Sequence, residues 1–160
     1  MDIDEVMKKL AKVQGKISVP KNQRNNFGKY NYRNAEDILA AATPLLVAEG
    51  LTMTIEDDIR QIECPETIEP LEGRSPLCRH RCYVISTVFI NGHKVGQAAA
   101  REAFTKKGMD DAQITGAASS YARKYALNGV FLLDDVKDAD SQDNSGNPQP
   151  AIPKGKTVDW

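Results

Sequence analysis

Residues 83–104 read YVISTVFINGHKVGQAAAREAF. The first eight of them are rich in β-branched and aromatic side chains, which favour a strand. Asn91 and Gly92 then form a two-residue turn signal, because both residues readily adopt the positive φ angles that a tight hairpin needs. The segment from His93 toward Phe104 is the return strand. The stretch therefore predicts an antiparallel hairpin at the centre of the fold.

Elements on both sides of this hairpin follow from the spacing of apolar residues. Residues 51–60 alternate between apolar and polar, which predicts a half-buried strand. Upstream, helical spacing predicts one helix from residue 3 to residue 17 and another over residues 35–49, with Asn34 as its N-cap. Residues 16–33 between these helices are polar and turn-rich, which predicts a loop or irregular extended segment.

Downstream of the hairpin, Asp110 and Gln113 have capping-box spacing and predict the start of a long helix over residues 111–127. Asn128 and Gly129 are expected to stop this helix, and a short strand and a tail are expected to follow. The predicted fold class is α+β, with N-terminal helices, an antiparallel sheet containing the hairpin, and a long helix packed on that sheet. The long connection over residues 63–79 is expected to be flexible.

Charge and composition exclude several classes of protein. The 160 residues suit about one domain, and 21 basic against 22 acidic residues leave a net charge of -1. The chain as a whole therefore has no excess positive charge that would attract nucleic acid or a membrane. No apolar stretch is long enough to cross a bilayer, and the acidic start at residues 2–5 is unlike a secretory signal. Three cysteines suit a reducing compartment, so a cytoplasmic location is expected.

A domain boundary is predicted at residue 133. Residues 134–160 contain six aspartates against three lysines, with several Pro and Gly residues and few large apolar side chains. Such a segment cannot bury enough apolar surface to offset the entropy of ordering. The sequence therefore predicts a folded domain over residues 1–133 and a disordered acidic tail over residues 134–160, whose terminal Trp160 is a candidate partner-binding residue.

Cations and aromatic residues interleave in the loop before the second helix. Single-stranded nucleic acid is bound by this mixture, because cations neutralise phosphates while aromatic rings stack on unpaired bases. The alternative is that the rings anchor a loop onto the core and the cations are only solvated. The residues concerned are Lys21, Arg24, Phe27, Lys29, Tyr30, Tyr32 and Arg33.

The long helix predicted over residues 111–127 offers a second candidate surface. Ile114, Ala118, Tyr121 and Tyr125 are predicted on one stripe, and Gln113, Gly116, Ser120, Arg123 and Lys124 on or near the opposite side. Small residues there allow close approach of a backbone, either another protein element or a phosphate chain, while tight packing on a sheet is the alternative. Further cations upstream extend a candidate basic surface: Arg101, Lys106 and Lys107.

No catalytic or metal-binding motif stands out. The spacing of Cys78, His80 and Cys82 in an extended segment separates the outer two side chains too far for one tetrahedral ion. Aspartates at 134, 135, 138 and 140 resemble nuclease ligands, but they match a solvated acidic run better. We therefore expect no metal, no cofactor and no catalytic residue.

Two segments together resemble one known family. Residues 25–38 read NNFGKYNYRNAEDI, and residues 108–129 read GMDDAQITGAASSYARKYALNG. Their order, with strands between them, resembles the ERF superfamily of phage recombination proteins over residues 3–140. The resemblance implies ATP-independent annealing of complementary single strands by ring or filament oligomers, and a core similar to that of other ring-forming annealing proteins.

The resemblance also implies site residues and partners. The residues carried over are Lys29, Tyr30, Tyr32 and Arg33 in the first segment, and Arg123 and Lys124 in the second. The implied partners are single-stranded DNA, further copies of the chain, and a phage exonuclease or a host single-strand-binding protein, in the bacterial cytoplasm. Gly116 and Ser120 are the candidate oligomer contact. The rival functions are a metal-dependent nuclease and an interaction module acting on a host repair or defence factor.

Overall fold

A three-stranded antiparallel sheet forms around the predicted hairpin. The computed structural model describes residues 1–26, 29–63, 80–103 and 106–133. The hairpin strands are β4 (His80–Ile90) and β5 (His93–Arg101), and the turn between them has φ 49° at Asn91 and 79° at Gly92. Strand β3 (Met53–Glu63) pairs with the other side of β4, so the strand order is β3-β4-β5. The predicted hairpin and the strand before it are confirmed.

The long helix α3 (Asp111–Val130) covers one face of this sheet. Its capping box is complete, because Asp110 accepts from the Gln113 N–H and Gln113 bonds back to the Asp110 N–H. The β4 side chains that face it are buried, namely Val84, Ser86, Val88 and Ile90.

At one point α3 and β5 approach each other closely. A Cβ atom added at Gly96 would lie 2.3 Å from Cγ2 of Val130. Real Cβ atoms essentially never approach another heavy atom so closely, so a glycine is needed here for the helix and the strand to keep their distance.

Two further helices close the core at the hairpin end of the sheet. Helix α1 (Ile3–Gln14) begins at Asp2, and helix α2 (Ala35–Ala48) begins at the predicted cap Asn34, whose side chain accepts from the Asp37 N–H. Both helices bury most of the apolar stripe that the periodicity predicts, although Ile3 and Met7 of the predicted α1 stripe are exposed. Together with α3 and the sheet they form the main core, which contains Val6, Leu10, Val13, Ile38, Ala42, Leu46, Val88, Ile90, Leu127 and Phe131.

The structure differs from the sequence prediction in three described segments. Helix α1 ends at Gln14, before the predicted end at residue 17. Residues 16–33, predicted as a loop, include a short antiparallel pair, β1 (Gln23–Asn25) and β2 (Tyr30–Tyr32). Helix α3 does not stop at Asn128 and Gly129 but continues to Val130, and no strand follows within the residues described after it. Asn128 is 7% exposed, so tertiary burial outweighs its preference for a helix end.

Helix α3 ends instead through a residue with positive φ. Leu132 has φ 53°, its N–H bonds to the Gly129 carbonyl at 3.4 Å, and the Leu133 N–H bonds to the Asn128 carbonyl at 2.9 Å. These two bonds form a Schellman motif, which usually has glycine at the left-handed position.

The predicted flexible connection after residue 63, the acidic tail and its Trp160 lie outside the described residues, as does Phe27. Across the ranges that are described, no helix is long and apolar enough to cross a membrane.

Candidate nucleic-acid interface

The small hairpin β1–β2 presents two tyrosines from the predicted cationic and aromatic segment. The rings of Tyr30 and Tyr32 meet edge to face, with centroids 6.2 Å apart. Asn25 Nδ2 donates to the Tyr30 hydroxyl at 3.1 Å across the pair of strands. Tyr30 is nevertheless 46% exposed. The hairpin therefore holds an accessible aromatic ring in a fixed place.

Helix α3 presents two further tyrosines and a lysine. Tyr121 is 52% exposed and Tyr125 is 46% exposed, with ring centroids 6.1 Å apart. The Lys124 ammonium lies 5.3 Å from the first ring centroid and 4.9 Å from the second, which is cation–π distance. As predicted, both tyrosines lie on one stripe of the helix with Ile114 and Ala118, and all four residues line one cleft. The stripe against the sheet is Ile114, Ala118, Ala122 and Ala126.

These two sets of residues face each other across a cleft of about 220 Å³, which we call the tyrosine groove. The groove runs between β1–β2, the start of α2 and the middle of α3. Arg33 and Lys124 contribute positive charge to it, and Glu36 contributes one carboxylate. Its complete lining is Asn25, Tyr30, Tyr32, Arg33, Asn34, Ala35, Glu36, Ser120, Tyr121 and Lys124.

Arg33 is part of the fold as well as part of the groove. The residue is only 6% exposed, and its Nη1 donates to the Val19 carbonyl oxygen at 3.0 Å. Burial of an arginine requires such bonding, because a desolvated charge is costly unless it is paired. Its guanidinium therefore joins the segment before β1 to the start of α2.

Arg123 does not line the groove and contacts strand β3 instead. It contacts the carboxylate of Asp57 on β3 through Nη2 at 2.8 Å and Nε at 3.0 Å. The same carboxylate accepts from the hydroxyls of Ser119 and Ser86, each at 2.6 Å. Burial alone would raise the pKa of Asp57, but the hydrogen bonds from Arg123, Ser119 and Ser86 outweigh it and lower the pKa.

The remaining predicted cations occupy two places. Arg24 and Lys29 are exposed beside the tyrosine groove on β1 and the β1–β2 turn, and Lys21 precedes them half-buried. Arg101 and Lys106 line a second cleft of about 360 Å³ between α3 and β5, which also contacts Tyr121 and Tyr125. We call it the β5 cleft. The last cation, Lys107, is exposed next to it.

The two candidate oligomer contacts differ in position. Gly116 is exposed on α3, and no atom lies within 4 Å of a Cβ built there. Ser120 lines the tyrosine groove. Their role in assembly stays a prediction. Within the ranges described, no three His, Cys, Asp or Glu side chains come together as a metal site.

Comparison with known proteins gives the relationship of the chain. A family model described as the ERF superfamily matches residues 6–158. The chain belongs to the ERF superfamily. This ERF chain is also 45% identical over 157 residues to the essential recombination function protein of Salmonella phage P22, and the alignment covers 96% of the chain and 67% of that protein. No solved structure matches the ERF chain.

The family match confirms the resemblance carried by residues 25–38 and residues 108–129. Both segments contribute side chains to the tyrosine groove, although they are about ninety residues apart in the sequence of this ERF chain. Periodicity could not identify Tyr121 as a groove residue. The sequence signal that points to an aromatic and cationic surface here is the Tyr-x-x-Lys-Tyr pattern of residues 121–125.

Proposed function

We propose that this chain acts in phage recombination by binding single-stranded DNA along the tyrosine groove and annealing complementary strands without ATP. Its family membership and its similarity to the P22 recombination function protein support the recombination role. One structural observation carries the DNA-binding part. Three half-exposed or exposed tyrosines and Lys124 line a single groove.

The chemistry of the groove favours a single strand over a duplex. Unpaired bases have two accessible faces, so they stack on aromatic rings, whereas bases in a duplex are already stacked on their neighbours. Lys124 provides a cation in the groove for the phosphates, and Lys29 and Arg24 are exposed cations on the adjoining hairpin. No base-specific set of donors is required, which suits a protein that pairs strands of any sequence.

Annealing follows from binding of this kind. Cations reduce the repulsion between two phosphate backbones, and stacked bases keep their pairing edges exposed. Two strands that are held close together then sample registers until complementary segments pair. The free energy of base pairing drives the reaction, so no nucleotide hydrolysis is needed.

A binding experiment tests the site. Lys124→Ala should lower the affinity for a fluorescent single-stranded oligonucleotide and reduce the slope of log affinity against log salt by about 0.7. Tyr121→Ala should cost about 1–3 kcal/mol of binding, because a stacking ring is lost, whereas Tyr121→Phe should retain binding. Lys8→Ala is the matched control, because Lys8 is exposed on α1 and lines neither cleft.

A second experiment separates annealing from the rival functions. Two labelled complementary oligonucleotides should pair faster with the protein than without it, in EDTA and without ATP. Cleavage of the oligonucleotides after addition of Mg²⁺ would favour the nuclease. No binding to any DNA would contradict the proposal and favour the interaction module.

A further inference from the structure

The sheet of this chain has two outer edges. Strand β3 forms one of them and β5 forms the other, and no other strand within the described ranges pairs with either. The edge of a strand presents a row of backbone N–H and C=O groups that can pair with another strand. Strand β3 has eleven residues and β5 has nine, so each edge is long enough for extended pairing.

The two edges carry opposite charges on the face of the sheet that points away from α3. Strand β3 presents Glu56 and Asp58 there, with Arg60 beside the second carboxylate at 3.7 Å. Strand β5 presents Lys94 on the same face, and Arg101 lies at its C-terminal end, where it lines the β5 cleft. Charges on an edge often prevent pairing. Here a β3 edge repels the β3 edge of a second copy, and a β5 edge repels a second β5 edge. A β3 edge and a β5 edge attract each other.

The side chains at the two edges also differ in size. Ile59 on β3 is 58% exposed, and Ile62 is 54% exposed. Residues 98–100 on β5 are three alanines, and two of them line the β5 cleft together with Met109 and Ile114. Ile62 lies on the other face of the sheet, so the large exposed side chain of Ile59 is the one that matches the small side chains and the apolar wall of Met109 and Ile114 at the other edge.

Strand direction brings these features together. Strands β3 and β5 are both antiparallel to β4, so they run in the same direction. Continuing the sheet from one copy into the next therefore pairs β5 with β3 in parallel. The C-terminal half of β3, with Ile59, then lies beside the C-terminal end of β5, where the β5 cleft opens. Ile59 is on the α3 face of the sheet, because its partner on β4 is the buried Val84.

We propose that the β3 edge of one copy of this chain pairs with the β5 edge of the next, with Ile59 in the β5 cleft. Such a contact uses different surfaces on the two copies and leaves one edge open at each end. Repetition of a contact of this type gives a ring if the rotation closes and a filament if it does not. Of the residues that line the tyrosine groove, only Tyr121 also lines the β5 cleft, so the contact leaves the rest of the groove open.

Two charge-reversal variants of the full chain test this contact. The β5 variant contains Lys94→Glu and Gln97→Glu, and the β3 variant contains Glu56→Lys and Asp58→Lys. All four residues are exposed. Sedimentation velocity without DNA, and again with a single-stranded oligonucleotide, measures assembly. The wild-type chain should form species larger than dimers, and each variant alone should sediment near its 17.6 kDa monomer mass.

An equimolar mixture of the two variants is the decisive sample. Every β5-to-β3 contact between unlike variants again joins opposite charges, so assembly beyond the dimer should be restored. This restoration also shows that both variants are folded. A control variant with Lys8→Glu and Ala40→Glu makes the same change in charge as the β5 variant, on exposed helix positions, and should assemble like the wild type.

Several results would overturn the proposal. These are a monomeric wild-type chain in both conditions, assembly of either variant alone to the wild-type extent, and a mixture that stays monomeric or stops at a dimer. A dimer would indicate pairing of like edges between the two variants. Because assembly is measured separately from affinity for DNA, failure of this contact and failure of DNA binding in the tyrosine groove give different results.

Discussion

Replacing Asp57 by alanine should destabilise the fold more than its position on an edge strand suggests. The carboxylate links β3 both to β4 and to α3. It accepts from Ser86 on β4 and from Ser119 and Arg123 on α3. Its side chain is only 21% exposed. Alanine leaves these donors without their acceptor.

The expected magnitude follows from the burial of each donor. Ser86 is 0% exposed, so loss of its acceptor leaves a buried hydroxyl unsatisfied, which costs about 1–3 kcal/mol. The Arg123 side chain is 46% exposed, so its ion pair contributes at most about 1 kcal/mol. The total is about 3 kcal/mol, which corresponds to a fall of about 10 °C in Tm for a chain of this size.

Thermal unfolding and a double-mutant cycle with Ser86→Ala measure this effect. If the buried hydroxyl dominates, Asp57→Ala should cost only about 1 kcal/mol in the Ser86→Ala background. A pH series gives a second test. The pKa of Asp57 is lowered in the folded state, so its stabilisation is complete above the unfolded value of about 3.9 and is lost as pH falls below it.

Asp57→Asn keeps the shape but not the charge, so it should remove this part of the acid dependence. Two results would refute the reasoning. The first is an Asp57→Ala protein as stable as the wild type. The second is an equal cost of Asp57→Ala with and without Ser86.

Three further predictions concern the backbone and the tail. Gly96→Ala should lower the free energy of unfolding by about 1–3 kcal/mol, because the added methyl group overpacks the core. Gly116→Ala, at a position with open space, should raise it by up to about 1 kcal/mol. Chemical denaturation measures both, and equal effects would contradict the close approach at Gly96. Leu132→Gly should raise the thermal midpoint, because it relieves a left-handed residue worth about 1 kcal/mol; a lower midpoint would contradict this. Truncation after Asp140 should leave the circular dichroism spectrum unchanged and tighten single-strand binding at low salt, where an acidic tail competes best with DNA; equal affinities would exclude this competition.

Local signals predicted most of the fold. The turn at Asn91 and Gly92 and the caps at Asn34 and Asp110 are determined by residues within a few positions of each other, and all of them are confirmed. The short strands β1 and β2 gave no such signal, because β1 is entirely polar and the three residues of β2 are too few to establish an alternation. The end of α3 depends on burial of Asn128 by distant elements, which no local pattern can encode.

The candidate site was predictable in its residue types but not in its geometry. Tyr30, Tyr32 and Lys124 were selected from sequence and do line one groove. Arg33 was also selected, but it is buried and bonded to a carbonyl, because the chain folds back over it. Arg123 was selected as a DNA contact and pairs with Asp57, sixty-six positions away in sequence. A cation in a sequence motif looks the same whether its partner is a phosphate or a carboxylate of its own chain.

The close approach of Gly96 and Val130 restricts how this chain and its relatives can diverge. A methyl group at position 96 meets a buried methyl group of the helix, so alanine there becomes acceptable only after the valine has been replaced by a smaller residue. That order passes through a small cavity, whereas gaining the alanine first passes through a clash, and a small cavity costs less than a rigid overlap. Among recombination proteins of this family, the two positions should therefore vary as a pair, and lineages that have gained a side chain at the strand position should have lost volume from the helix first.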